Sequence, residues 1–269
     1  TLPFNRLSMG IQTFNESILK VLQRRHTARQ AIEAFQNCRA AGFQNISIDL
    51  MYGLPGETLS TWQQDLDQAL LLHPEHLSAY HLIYEEDTVL WKLREQHKVE
   101  EADEDLSVSL FSTLIDRLTS EGYDHYEISN FSLPGLYSRH NSSYWTEKKY
   151  LGCGPSAHSY NGVSRQWNVA SLDTYIKGIS AGTPVFEIEE LDLYTRYNDF
   201  VITRIRTEWG MPLSKLRDEF GEKLYDYCLR MAAPHLKQGT LELVNDILKL
   251  TRKGIFISDG IMSDMLWTD

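Results

Sequence analysis

An aspartate stands inside an otherwise apolar strand-like run, Ile46-Ser-Ile-Asp49-Leu-Met51, where a carboxylate flanked by Ile48 and Leu50 must meet something polar. Gln12 closes a second such run, Arg6 to Ile11, and a third, Leu77 to Ile83, leads into Tyr84, Glu85 and Glu86. The Asp49 run is followed by Gly53-Leu-Pro-Gly-Glu-Thr58, whose glycines suit a tight turn but are a weak signal alone. Gln and Asp are the side chains that hold hydroxyls or an amino group by hydrogen bonds. If the three runs are parallel strands, Gln12, Asp49, the Gly53 to Thr58 loop and Ile83 to Glu86 gather on one rim, because parallel sheets carry their binding loops at the carboxyl ends of their strands.

The elements that must position them are legible from period and punctuation. Asn15 is placed to cap a helix through Arg24, and Thr27 a second one whose apolar face is Ala31, Ile32, Ala34, Phe35 and Cys38. A third helix is expected from about Leu59 to Leu72, and a fourth over Asp105 to Gly122 after a charged loop. Strand, loop, helix, strand at this spacing predicts parallel βαβ crossovers. Tyr123 to Phe131 reads as one further strand. The aromatic, glycine- and histidine-rich stretch after it reads as a loop lining a cleft. It contains Arg139-His-Asn-Ser-Ser-Tyr-Trp145, Gly152-Cys-Gly-Pro-Ser-Ala-His-Ser-Tyr160 and Arg165-Gln-Trp-Asn168. From Leu193 onward, helices over Tyr194 to Arg206, Pro212 to Phe220 and Glu222 to Gln238 precede a hairpin turning at Asn245-Asp246, a winged-helix-like pattern. The expected organisation is therefore 1–130, 131–192 and 193–269.

Composition narrows the function. The 269 residues are 42% hydrophobic and 23% charged, which excludes disordered and fibrous classes. With 26 Lys plus Arg against 37 Asp plus Glu the net charge is −11, which argues against a nucleic-acid backbone or an anionic membrane surface as partner. No apolar run reaches membrane-spanning length and no signal pattern follows Thr1, so membrane insertion is not expected and the cytoplasm is. Cys38, Cys153 and Cys228 are far apart and form no CxxC, which reads as three buried, reduced thiols with no disulfide or metal-ligand set. Thr1-Leu-Pro-Phe4 runs almost at once into a strand, as if the chain were a fragment of a longer protein. A barrel cut there would expose a strand edge prone to self-association.

RLSMGIQTFN, the spacing from it to Arg24 and His26, IDLMYGLPGET, EISNF, RHNSSYW and GCGPSAHSY together resemble the radical S-adenosylmethionine proteins related to oxygen-independent coproporphyrinogen III oxidase, and among them the heme chaperone branch. The resemblance implies an α/β fold: the C-terminal part of a partial (β/α)6 TIM-like barrel, followed by a small helical, winged-helix-like domain. It implies S-adenosylmethionine and a [4Fe–4S] cluster as cofactors, although the family's CxxxCxxC loop is absent from this chain and is expected upstream of Thr1. Gln12, Arg24 and Asp49 match positions that contact S-adenosylmethionine, and Ile83 one that contacts it through the backbone. Arg24 is suited to pair with a carboxylate. The cluster would reduce the sulfonium and release a 5′-deoxyadenosyl radical, chemistry that the protein only positions.

His140 beside Tyr144 and Trp145 suits an axial ligand to heme iron next to a macrocycle that stacks on the aromatic rings, and HNxxYW resembles a signature of the chaperone branch. His26 and His158 are rival ligands. Two functions of different class stay open: a heme-binding chaperone delivering heme to an acceptor protein, and a coproporphyrinogen III dehydrogenase that turns two propionates into vinyl groups. A scaffold without chemistry is the third. The sequence names neither the acceptor nor an electron donor.

Overall fold

The computed structural model describes residues 4–268; Thr1 to Pro3, where the abrupt start was noted, and Asp269 lie outside the described residues. The chain divides after Ser138 into two compact units.

The first unit runs β1 (Leu7–Gln12), α1 (Glu16–Val21), α2 (Ala28–Ala40), β2 (Ile46–Tyr52), α3 (Leu59–Leu71), β3 (His76–His81), α4 (Val89–Glu95), α5 (Glu104–Ser120), β4 (Asp124–Glu127) and β5 (Asn130–Ser132). Asn15 and Thr27 cap α1 and α2 as their side chains require, the latter in a reciprocal capping box with Gln30. The sheet order is β1-β2-β3-β5-β4, with β1, β2 and β3 parallel as expected from the crossovers. Two expectations are corrected. The run Tyr123 to Phe131 is two antiparallel strands, because Glu127 accepts hydrogen bonds from Ser129 N and Asn130 Nδ2 and so turns the chain. The charged loop before α5 contains the helix α4, nucleated by the Thr88 side chain accepting from Trp91 N.

Strand alternation divides the sheet into two chemically different faces. Ile46, Ile48, Leu50, Leu77 and Ala79 point to the helices and are essentially fully buried. Trp62 on α3 is buried with them, its indole donating to the Leu110 carbonyl on α5 at 3.0 Å. The opposite face is polar and hydrogen-bonded in rows. In one row Ser47 meets His76 Nδ1 at 2.8 Å and His76 Nε2 meets the Tyr126 hydroxyl at 2.6 Å. In the next, Asp49 is in register with Gly10 and Ser78, and Ser78 donates to Asn130 at 2.9 Å.

The second unit begins with α6 (Arg139–Trp145), then β6 (His158–Tyr160), β7 (Ser164–Asn168), α7 (Leu172–Ser180) and β8 (Phe186–Glu190). The expectation of a structureless cleft-lining loop over this stretch is corrected: RHNSSYW is helical, and β6-β7-β8 form an antiparallel sheet. Strands of three to five residues leave too little alternation to detect, and they hold through cross-strand pairs such as His158 with Trp167. The remainder matches the winged-helix-like expectation. It comprises α8 (Leu193–Ile205), β9 (Met211–Pro212), α9 (Leu213–Gln238), β10 (Leu241–Val244), β11 (Ile247–Leu250), α10 (Arg252–Ile255) and α11 (Ser258–Met265). Gly221, at φ 79°, interrupts α9 where two helices were expected. Asn245 and Asp246 take the positive φ angles of a two-residue hairpin turn.

The turn after β1 depends on one buried carboxylate. Asp65 of α3 accepts from the Thr13 hydroxyl and from Phe14 N at 2.8 Å, and Thr13 is itself fully buried. Asp65→Ala is expected to lower unfolding free energy by about 2–3 kcal/mol, because it strands two buried donors. Denaturant titration checks this; a loss within about 0.5 kcal/mol, the range of neutral surface changes, would show that the turn holds without it.

Candidate functional site

At the carboxyl end of β1 the backbone bulges between Gly10 and Gln12, and Gln12 takes a left-handed φ of 72°. That conformation folds its side chain back over Gly10: a Cβ there would lie 2.7 Å from Gln12 Nε2 and 3.5 Å from Arg24 Nη2. Arg24, just beyond α1, donates from Nη2 to the Gly10 carbonyl at 3.2 Å. Gln12 and Arg24 thus converge on a notch that exists because residue 10 has no side chain. His26 is held nearby with a ring nitrogen 3.2 Å from the Ile11 carbonyl, so it supports this turn.

Asp49 is half-buried one strand over, in register with Gly10, with Ser8 Oγ 3.3 Å from one carboxylate oxygen. Burial pushes its carboxyl above the usual range, against the opposing pull of hydrogen bonds from Ser78 and Ser8. A bound group that donates to Asp49 would relieve that cost. Ile83 follows β3 at the same end of the sheet and is 72% exposed. The expected rim is assembled in part: Gln12 ends β1 and Ile83 follows β3, Arg24 reaches the end of β1 from beyond α1, and Asp49 lies midway along β2 in register with Gly10. A notch with amide, guanidinium and carboxylate groups fits a ligand carrying hydroxyls, an amine and a carboxylate.

The supporting residues went unmarked in the sequence, although polar residues at every second position (Ser47, Asp49; His76, Ser78) are the signal of a wet inner face. Glu57 is another. It is buried in the loop after β2, where it accepts from Gly53 N at 2.7 Å and Leu54 N at 3.3 Å. Among the described residues its second oxygen, Oε1, is buried without a partner. Burial pushes its carboxyl up to about 7.

In the second unit His140 and Tyr144 pair across one turn of α6, with Tyr144 Oη 3.1 Å from His140 Nε2 and the rings edge to face at 5.1 Å. Both are exposed. Trp145 is half-buried and carries the Arg206 guanidinium 4.3 Å over its ring, so that face is already covered. The aromatic row continues from Tyr144 to Tyr150 and Tyr160.

The cysteine expectation is corrected in part. Cys228 is buried on α9, but Cys38 is half-buried on α2 and Cys153 is exposed in the loop after α6, where a Gly-flanked thiol has no core to enter. The three do not fit a [4Fe–4S] cluster, and among the described residues no group of three or more His, Cys, Asp or Glu is placed to hold a metal ion. Among the same residues no helix is long and apolar enough to cross a membrane.

Glu57 gives the loop a pH signature. With a folded-state pKa raised from 4.5 to about 7, the folded chain keeps a proton that the unfolded chain releases, so this carboxyl's contribution to stability is present in acid and is lost as pH rises through that window. Glu57→Gln, which cannot ionise, is expected to gain stability relative to wild type by up to about 3 kcal/mol between about pH 4 and about pH 8. Urea unfolding across that range measures it; a flat difference would contradict the assignment.

Comparison with known proteins identifies the family. A family model described as the Radical SAM superfamily matches residues 1–69, and one described as the HemN C-terminal domain matches residues 191–257. The protein named "Heme chaperone HemW" from Lactococcus lactis subsp. lactis is 31% identical over 268 residues, which is 98% of this chain and 70% of that protein. Its namesake from Bacillus subtilis is 30% identical over 97% of this chain and 69% of its own length. The solved structure of coproporphyrinogen III oxidase (HemN) from Escherichia coli, a radical SAM enzyme, superimposes with a TM-score of 0.79 at 21% identity, over 98% of this chain and 64% of that one, a likeness of fold. With that fold, both family models and relatives matched along nearly its whole length, the chain belongs to the radical SAM superfamily, in the branch of the heme chaperone HemW.

Proposed function

We propose that the protein is a heme chaperone that binds heme and S-adenosylmethionine and passes heme to an acceptor protein. The observation that carries this is the similarity, along 98% of the chain, to a relative whose name is heme chaperone. The exposed His140–Tyr144 pair on α6 supports it: an imidazole able to ligate iron stands beside a ring able to meet a macrocycle. Coordination through Nε2 requires Tyr144 to release that nitrogen, and the exchange of one partner for another suits a protein that must also let its cargo go. Trp145, under Arg206, contributes by bracing α6 and less by stacking.

S-adenosylmethionine is assigned to the rim of the first unit. Arg24 pairs with its carboxylate, Gln12 and Asp49 hold hydroxyls or the amino group, and Ile83 contacts it through the backbone. When bound with the family's [4Fe–4S] cluster, it supplies radical chemistry; the cysteines of this chain do not hold that cluster. Three free thiols support a cytoplasmic setting. Coproporphyrinogen III oxidation is the alternative.

The readings separate in one set of titrations on the full-length protein. Hemin is expected to bind and His140→Ala to lower its affinity and shift the Soret band, while leaving S-adenosylmethionine binding near wild type. Asp49→Ala is expected to do the reverse, losing about 1.5–3 kcal/mol of cofactor affinity. Release of carbon dioxide from coproporphyrinogen by the reduced protein would favour the oxidase instead, and loss of both ligands in both variants would mark the positions as structural.

A further inference from the structure

His158 lies two residues from Tyr160 on the same face of the β6–β7 sheet and lines a different cavity from the one beside Tyr144 of α6. It begins β6 and is exposed, and among the described residues its ring makes no hydrogen bond; its one ring contact is a near-parallel stack on Trp167, 5.9 Å between centroids. Register places it opposite Trp167, with Glu187 on the next strand. One row further on the same face come Val169 and Val185, joined by a backbone hydrogen bond of 3.1 Å. Together with Phe186 these residues line a groove of about 320 Å³.

The loop that presents His158 is built to stay still. Asn168, buried in β7, donates from Nδ2 to the carbonyls of Gly152 and Gly154 at 3.3 and 2.9 Å, and from its backbone N to Ala157 O at 3.0 Å. Gly154 N donates to the Tyr175 hydroxyl at 2.9 Å. Gly152 must be glycine, since a Cβ there would overlap the His158 carbonyl. The GCGPSAHSY motif thus has a physical purpose here: it fixes the backbone of one unengaged imidazole at the mouth of an apolar groove.

The neighbouring cavity, beside Tyr144, Tyr150 and Tyr160, is smaller at about 190 Å³, and its Arg165 is already paired with Asp199. A free imidazole next to a flat indole and two valines suits a planar apolar ligand with an open coordination position above its plane. Glu187 on the wall disfavours a second carboxylate, which leaves the carboxylate edge of such a ligand facing water. We infer that the groove beside His158 is a second seat for an iron porphyrin, with His158 on the iron and one face of the macrocycle against the indole edge of Trp167 and against Val169 and Val185. It rests on the proposed cargo and adds a seat in the cavity next to the one that Tyr144 borders.

The test titrates hemin, and separately metal-free protoporphyrin IX, into the full-length protein as wild type, His140→Ala and His140→Ala/His158→Ala, followed by the Soret band. Part of the hemin binding is expected to survive His140→Ala and to weaken roughly tenfold or more when His158→Ala is added. Added imidazole should restore the Soret position in the double variant, and the metal-free porphyrin should distinguish the two variants far less. Phe186→Glu, on the exposed wall, should weaken both ligands. Hemin binding abolished by His140→Ala alone, or equal in the single and double variants, overturns the second seat while the proposed function stands. A wild type that binds no hemin overturns the proposed function itself.

Discussion

A single carboxylate inside the first unit governs where its polar groups point. Asp65 takes hydrogen bonds from Thr13 and Phe14, and that anchor fixes the chain as it leaves β1. Thr13 Oγ1 in turn accepts from Asn15 N, and Asn15 caps α1, which delivers Arg24 to the Gly10 carbonyl. The left-handed backbone of Gln12 has no support of its own, since a side chain at positive φ is strained outside glycine, and it persists because this turn is pinned on the following side. Burial raises the carboxyl of Asp65 while its two donors pull it down, so the anchor is strongest ionised and fully bonded.

The two faces of the sheet impose opposite rules. Against α3 and α5 the sheet excludes water and needs close packing, which Ile48, Leu50 and Trp62 supply. On the other face each buried polar group must find a partner across the strands, which produces the rows through His76 and Asp49. His76, pushed down to about 3 by burial and by the nearby Arg6 charge, stays neutral and bridges Ser47 to Tyr126. Its contribution is lost as pH falls below the ordinary histidine range, the opposite sense to Glu57. The first unit therefore carries two buried groups whose pH dependences oppose one another, and both lie under or beside the rim.

The second unit solves a different problem. In its first part, α6 to β8, histidines and aromatic rings sit on short elements that cannot bury much apolar area, so their positions come from local devices: Arg206 over Trp145, the Tyr144 to Tyr160 row, and Asn168 stitching the glycine loop to β7. Rings held by such devices leave Tyr144 and His158 accessible, which a closed core cannot offer.

The sequence by itself determined the parallel βαβ order, the caps at Asn15 and Thr27, the break at Gly221 and the Asn245-Asp246 turn, because each is written in local periodicity or backbone chemistry; it marked Gln12, Asp49 and Ile83 as polar or strand-end positions, while Arg24 came only from the family resemblance. Tertiary structure alone decided the rest. Whether Asp49 would find Ser8 and Ser78 depends on strand register across residues far apart in the chain. The helicity of RHNSSYW and the sheet β6-β7-β8 come from packing that overrides weak local preference. Trp145 was legible as an aromatic ring but not as one covered by Arg206, and His158 was legible as an imidazole but not as one left open above Trp167, since which rings are covered is settled only when distant segments meet.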